Sequence, residues 1–209
     1  MSESVWLSMS NPVLSSLSVL AILIVFAGFM FFYKRRLNRN LVFEREVESF
    51  NQSKQEPDWT IFYASQRGRA QALALQTEAA LNLAGLEVEV IKLSAIKPAD
   101  LIGRANCLFI TSTFGNGQAP EAARGFERKL KKSTFNLTTM NYAVLALGDK
   151  QYDRFCGFGR KLDTWLSAQN ANAIQPIIKV SQMDVTSIDD WQQFITQLGG
   201  DRSAFKTKM

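Results

Sequence analysis

Residues 58–80 read Asp-Trp-Thr-Ile-Phe-Tyr-Ala-Ser-Gln-Arg-Gly-Arg-Ala-Gln-Ala-Leu-Ala-Leu-Gln-Thr-Glu-Ala-Ala. The opening run to Ala64 is β-branched and aromatic, the composition of a short buried strand. The run from Gln71 is rich in Ala and Leu and contains neither Gly nor Pro, which favours a helix. Between them lie Ser65, Gln66, Arg67, Gly68, Arg69 and Ala70, mostly polar and with one Gly. The predicted order is therefore strand, tight polar loop, helix start. A helix N-terminus presents free backbone N–H groups and the positive end of its dipole, so this loop is a candidate phosphate cradle.

The pattern repeats downstream. Residues 86–93, Leu-Glu-Val-Glu-Val-Ile-Lys-Leu, largely alternate and predict a half-buried strand. Pro98 opens a short helix or turn. Residues 106–113 predict a third strand, which runs into Phe114-Gly115-Asn116-Gly117-Gln118-Ala119-Pro120. A helix over 121–132 follows. Its last turn carries Arg128, Lys129, Lys131 and Lys132, a solvated cationic end that suits the helix dipole. Residues 141–147 predict a fourth strand ending in Gly148-Asp149-Lys150-Gln151-Tyr152, then a helix over 154–169. Residues 173–180 predict a fifth strand, and Pro176 inside it predicts an edge position. The last helix is predicted over 187–198. Strands alternating with helices imply an α/β doubly wound parallel sheet, here five-stranded and covered on both faces.

Such sheets bind ligands at the carboxyl ends of their strands. Three loops leave those ends: 65–70, 113–120 and 148–152. The first offers backbone donors, the Ser65 hydroxyl and two guanidinium groups, which fits a terminal phosphate. The second and third each bring one aromatic ring, Phe114 and Tyr152, to the same crevice, which suits a flat conjugated ligand. Gly115 and Gly117 let the backbone approach the edge of such a ligand. A phosphate joined to a flat ring points to flavin mononucleotide (FMN).

Composition narrows the chemistry further. The chain has 209 residues and no histidine, which removes His general acid/base catalysis, His metal ligation and every nucleophile that relies on a His partner. The two cysteines, Cys107 and Cys156, lie far apart and predict buried reduced thiols rather than a disulfide or a zinc site. The net charge is +5, but residues 57–200 carry fifteen cations against thirteen acids. No basic face interleaved with aromatics is apparent, so nucleic acid is not an expected partner. Gly157-Phe158-Gly159 superficially suggests a dinucleotide fingerprint, but it lies in a helix-forming segment and not after the first strand.

With these loops in place, residues 60–198 resemble flavodoxin-type flavin domains, above all the FMN domain of diflavin reductases of the sulfite reductase flavoprotein and microsomal mono-oxygenase reductase types. The phosphate loop of those families resembles Ser-Gln-Thr-Gly-Thr-Ala, against Ser65-Gln66-Arg67-Gly68-Arg69-Ala70 here. The second resembles Thr-Tyr-Gly-Glu-Gly-x-x-Pro, against Thr113 to Pro120. The third resembles Leu-Gly-Asn/Asp-x-x-Tyr-x-x-Phe, against Leu147-Gly148-Asp149-Lys150-Gln151-Tyr152-Asp153-Arg154-Phe155, followed by Gly159, Lys161 and Asp163. Asp149 and the Phe155-Cys156 pair look most like bacterial sulfite-reductase-type flavoproteins. The resemblance implies a flavodoxin-like sheet of order 2-1-3-4-5. It also implies FMN held by Ser65, Gln66, Arg67, Gly68, Arg69, Ala70, Thr113, Phe114, Gly115, Asn116, Gly117, Leu147, Gly148, Asp149, Tyr152 and Phe155.

Three departures stand out. Arg67 and Arg69 replace two threonines, exchanging hydroxyl bonds to phosphate for charge-assisted ones. Phe114 replaces the more common Tyr, which keeps stacking and loses a hydroxyl. Asn116 replaces an acid, which leaves the flavin edge less negative and implies a somewhat raised low-potential couple. The resemblance implies an electron carrier, expected to depend on a separate flavin reductase or membrane electron donor and to deliver to an acceptor redox protein. The sequence ends at Met209, shortly after the last predicted helix, and no pyridine-nucleotide module is expected within it. The alternative is a flavin-free docking or scaffold module, for which the two arginines are the best support.

The N-terminal part reads differently. Residues 13–33 form an uncharged run of 21 residues, 17 of them apolar. At about 1.5 Å per helical residue this crosses a hydrocarbon core of about 30 Å. Lys34, Arg35, Arg36 and Arg39 follow directly, so an uncleaved single-pass anchor is expected, with the C-terminal side in the cytoplasm. Together with the bacterial resemblance, this points to a bacterial inner membrane. Residues 34–57 are mixed and charged, either a continuing amphipathic stalk or a flexible linker, closed by Pro57. The expected organisation is 1–33 anchor segment, 34–57 juxtamembrane stalk, 58–200 flavodoxin-like domain and 201–209 tail.

Overall fold

A computed structural model describes Met30 and residues 56–206. The expected anchor over 13–33 and the stalk over 34–57 lie almost wholly outside the described residues. Among those described, no helix is long and apolar enough to cross a membrane. Among the described residues, 57–206 form one compact unit.

Six parallel strands build its sheet: β1 (Trp59–Ala64), β2 (Val88–Lys92), β3 (Asn106–Ser112), β4 (Asn141–Gly148), β5 (Asn172–Ala173) and β6 (Ile178–Ser181). Four helices accompany them: α1 (Arg69–Leu83), α2 (Arg124–Leu130), α3 (Gly157–Ala168) and α4 (Val185–Gln197). The order is β2-β1-β3-β4-β5, with β6 also paired to β4, so β5 and β6 share the fifth position. That is the expected order 2-1-3-4-5.

The strands alternate in which core they feed, because successive side chains leave a strand on opposite faces. Phe62, Cys107, Phe109, Tyr142, Val144 and Ala146 point to the face covered by α2 and α3 through Phe126, Phe158, Leu162 and Leu166. Ile61, Leu108, Ile110, Ala143, Leu145 and Leu147 point to the face covered by α1 and α4 through Leu73, Leu81, Ile188 and Trp191. Phe62 and Phe109 stack with ring centroids 5.2 Å apart. On the other face the indole Nε1 of the fully buried Trp191 donates to Thr77 Oγ1 at 3.0 Å, and the Thr77 hydroxyl donates to the Leu73 carbonyl at 2.8 Å. The one polar atom of the largest core side chain is thereby satisfied.

Four sequence expectations need correction. The fifth strand is not continuous over 173–180. Asn141 and Tyr142 pair with Asn172 and Ala173, whereas Leu145 to Gly148 pair with Ile178 to Ser181. Four residues, 174–177, therefore stand opposite two on β4. Pro176 falls in this bulge and breaks the ladder, as a residue without an N–H must. The helix expected over 154–169 begins at Gly157, because Cys156 sits at φ 52°, outside helical geometry. The segment expected as a tail from 201 instead packs on the domain. A 3-10 turn spans Arg202–Lys206, and the Asp201 N–H donates to the Ala80 carbonyl at 2.8 Å. The helix expected over 121–132 opens as a 3-10 turn, Glu121–Ala123, and is α-helical only over α2.

Candidate functional site

The carboxyl ends of β1, β3, β4 and β6 open into one cleft of about 350 Å³, within the size range of small-molecule sites. Of the sequence-derived candidates, Gln66, Arg67, Arg69, Thr113, Phe114, Gly115, Leu147, Gly148, Asp149, Tyr152 and Phe155 line it. Ser65, Gly68, Ala70, Asn116 and Gly117 do not. Gly68, at φ 84°, is the N-cap of α1 and contributes no side-chain bond, and Ala70 is wholly buried beneath the first turn. Both shape the loop from behind. Ser65 Oγ is buried with no hydrogen-bond partner in the protein. Such an orphan hydroxyl at a helix start calls for an acceptor supplied by a ligand or water.

The second loop is a short hairpin. Phe114 N–H donates to the Gln118 carbonyl at 2.9 Å, and Gln118 N–H returns to the Phe114 carbonyl at 3.0 Å. Gly115 and Gly117 turn it at φ 51° and 82°. A Cβ on Gly117 would also stand 2.8 Å from Arg154 Cβ, so glycine is required there twice over. The hairpin leaves Phe114 39% exposed, with the Arg124 guanidinium 5.6 Å from its ring centroid. Tyr152 on the third loop is 59% exposed. Two exposed aromatic rings on one cleft are unusual for a folded surface and suit a planar guest.

The loops are cross-linked. Gln66 Oε1 accepts the Glu121 N–H at 3.0 Å, tying the first loop to the segment after the second. Thr113 N–H donates to the Leu147 carbonyl at 2.9 Å, joining the second loop to β4. Lys161 Nζ donates to the Gly117 carbonyl at 2.8 Å and to Glu127 Oε1 at 2.7 Å, while Glu127 Oε2 accepts the Ala119 N–H at 3.0 Å. Partial burial pushes the Glu127 carboxyl up, but the bonds from Lys161 and Ala119 and the charges of Lys161 and Lys131 outweigh it and hold it below the usual range. A lowered carboxyl contributes stability above its unfolded pKa, about 4.3, and that stability is lost as pH falls through the folded value. Glu127→Gln is therefore expected to lower Tm by a few degrees at pH 7 and to narrow its gap from wild type below about pH 4, as read by thermal melts across pH.

The third loop is organised by its own acid. Asp149 Oδ1 accepts the Gln151 N–H at 2.9 Å and Oδ2 accepts the Gln182 side-chain amide at 2.9 Å. The Gln182 bond, then the Gln151 bond, hold its carboxyl below the usual range. Cys156, wholly buried beneath this loop, donates its thiol to the Ala146 carbonyl, and burial pushes its pKa up to about 12. Cys107 is likewise raised to about 12 by burial, so neither thiol is nucleophilic.

Residues 61–200 match the flavodoxin family. The chain belongs to the flavodoxin family. Among curated relatives, the Bacillus subtilis sulfite reductase [NADPH] flavoprotein alpha-component is 36% identical over 118 residues, 56% of this chain and 20% of that protein. NADPH oxidoreductase A of Dictyostelium discoideum is 31% identical over 131 residues, 62% of this chain and 21% of that protein. The chain thus spans about one-fifth of the length of these relatives. Among solved structures, a flavodoxin from Streptococcus pneumonia superposes with a TM-score of 0.58 at 25% identity, covering 67% of this chain and 96% of that one. Oxidised flavodoxin 1 from Bacillus cereus gives 0.58 at 17% identity, covering 72% and 99%. The family match spans the sheet and its cleft, and the flavodoxin frame accounts for the strand order.

Sequence reasoning missed Ser112, Arg154, Cys156, Val180, Gln182 and Met183, all of which line the cleft. Arg154 falls within the helix expected over 154–169, but that helix starts three residues later. Val180, Gln182 and Met183 lie at the end of β6. The carboxyl-end rule that selected three loops selects this fourth one too, once the fifth strand is placed beside β4.

Proposed function

We propose that residues 58–200 bind FMN and act as an electron carrier, and that residues 13–33 tether this carrier to a membrane. The observation that carries the reading is the pairing, in one cleft, of two exposed aromatic rings with a helix-start loop whose Ser65 hydroxyl is buried and unpartnered. The residues fit the group. Ser65, Arg67, Arg69 and the first-turn N–H groups of α1 would take the phosphate, and Phe114 and Tyr152 would flank the ring. Bound FMN supplies one- and two-electron chemistry, and the protein supplies orientation and electrostatics. A carrier role also fits the groups present. Among the described residues Asp149 is the one acid lining the cleft, engaged by Gln151 and Gln182, and the chain has no histidine.

The electron donor is proposed to be a separate flavin reductase or a membrane donor, and the acceptor a redox protein in the cytoplasm or at the bacterial inner membrane. The uncharged run of residues 13–33, with Lys34, Arg35, Arg36 and Arg39 after it, supports the tether and its orientation. Tethering would raise the local concentration of a membrane partner, which matters for a domain with little net charge to steer encounters.

Purified protein is expected to be yellow, and the stripped protein to quench FMN fluorescence at one equivalent. A colourless protein that fails to take up FMN would leave the second reading, a flavin-free docking module, which the two arginines in the phosphate loop favour. The tether is tested separately. The full chain should sediment with membranes and resist extraction by high salt, whereas a chain starting at Asn51 should not; equal partitioning of the two would rule it out.

A further inference from the structure

Resting on the FMN reading, we infer that Gln182 and Met183 form a fourth wall of the cleft, Gln182 as a positioning residue that clamps the third loop and Met183 as a binding residue that offers an apolar surface to the ring. The two residues follow β6, with φ of 49° and 64°. Asp184 N–H closes the turn onto the Ser181 carbonyl at 2.8 Å, so both central positions of a four-residue turn are left-handed. That is the pattern of a type I′ turn, for which Asn-Gly is the low-strain choice. Gln-Met is a strained choice. Strain of this kind persists where the side chains serve the site.

The contacts show what the side chains do. The Gln182 amide donates to Asp149 Oδ2 at 2.9 Å, and its backbone N–H donates to the Gly148 carbonyl at 3.1 Å. Ser181 Oγ accepts the Lys150 N–H at 3.1 Å. Three bonds thus staple the third loop, which carries Tyr152, to the end of β6. Of these, only the Gln182 amide depends on the identity of a strained residue. Met183 lines the cleft while its inner side packs on the core shared by α1 and α4. A flexible, polarisable thioether there can adapt to an aromatic face. Asp184 is excluded from this role, because its carboxylate caps α4 through the Ser187 N–H at 3.0 Å.

The test exploits the opposed signs of strain and function. Gln182→Asn with Met183→Gly relieves the turn but removes clamp and wall. Its Tm without flavin is expected to match or exceed wild type, while FMN Kd rises about tenfold and the amides of residues 149–152 exchange faster with solvent. Gln182→Ala keeps the strain and loses the clamp, so Tm and affinity should both fall. An Asn-Gly variant that binds FMN as tightly as wild type, with unchanged exchange at 149–152, would overturn the inference, as would one that loses stability and affinity together. Wild-type protein that takes up no flavin would instead overturn the FMN reading; the clamp would then stand or fall on the exchange rates at 149–152 alone.

Discussion

Replacing Arg67 and Arg69 together by alanine is expected to weaken FMN binding about hundredfold while leaving riboflavin binding within about twofold. A hydrogen bond to a charged group is worth about 1.5–3 kcal/mol, and both guanidinium groups are exposed at the cleft, so the lower end applies to each; about 3 kcal/mol in total is about a hundredfold in Kd. Riboflavin has the same ring and no phosphate, which makes it the internal control. Affinity of the wild type should also fall with added salt, and the double variant should lose most of that dependence. Fluorescence quenching titrations of both ligands across ionic strength would show this. Equal losses for FMN and riboflavin would mean that the arginines shape the loop and do not touch the phosphate. Replacing both by threonine, the pattern of the related flavin domains, should recover about half the lost free energy, since hydroxyl bonds replace charge-assisted ones.

Gly159→Ala is expected to destabilise the domain by about 2 kcal/mol, a fall in Tm of about 4–8 °C. A Cβ there would stand 2.4 Å from Ala146 Cβ and 3.0 Å from Thr111 Oγ1, and neither the methyl nor the sheet beneath it can rotate away. α3 must then lift off β4. The gain in helix propensity on replacing Gly, about 1 kcal/mol, offsets only part of an overpacking loss of up to about 3 kcal/mol. The lift has a functional consequence, because Lys161 on the same helix holds the Gly117 carbonyl and Cys156 at its start underlies the third loop. FMN affinity should therefore fall with stability. Adding Ala146→Gly reopens the space and should restore most of both, and a double-mutant cycle by thermal melts and FMN titration measures the coupling. If the pair is simply additive, the two positions do not clash as their separation demands.

The chain displays contiguous features openly and packed separations hardly at all. Arg67 and Arg69 could be named as phosphate candidates because a strand, a polar loop and a helix are contiguous, and a helix start exposes donors whatever it packs on. Phe114 and Tyr152 could be named because each closes a strand whose carboxyl end must face the crevice of a parallel sheet. Gly159 belongs to the third-loop resemblance and to a discounted dinucleotide motif, and neither says what it packs against. Its role depends on how closely α3 approaches Ala146, and separation between helix and sheet is not a local property. Asp149 was legible as a site residue but not in its job. It accepts from Gln182, 33 positions away, and so organises the loop from within.

The order of elements, the two-faced alternation of Phe62 against Ile61 or Phe109 against Leu108, and the three polar strand ends follow from the sequence alone, because strand periodicity, helix propensity and glycine are short-range effects. Tertiary structure alone decided the broken fifth strand, the true start of α3 and the fourth wall of the cleft. Each of these turns on register. Gly148 lies opposite Ser181 only because β6 joins the sheet beside β4, past a bulge that shifts the pairing by two residues, and that pairing brings Gln182 to Asp149. A contact between distant segments is set by how whole elements pack, and no window of neighbouring residues encodes it.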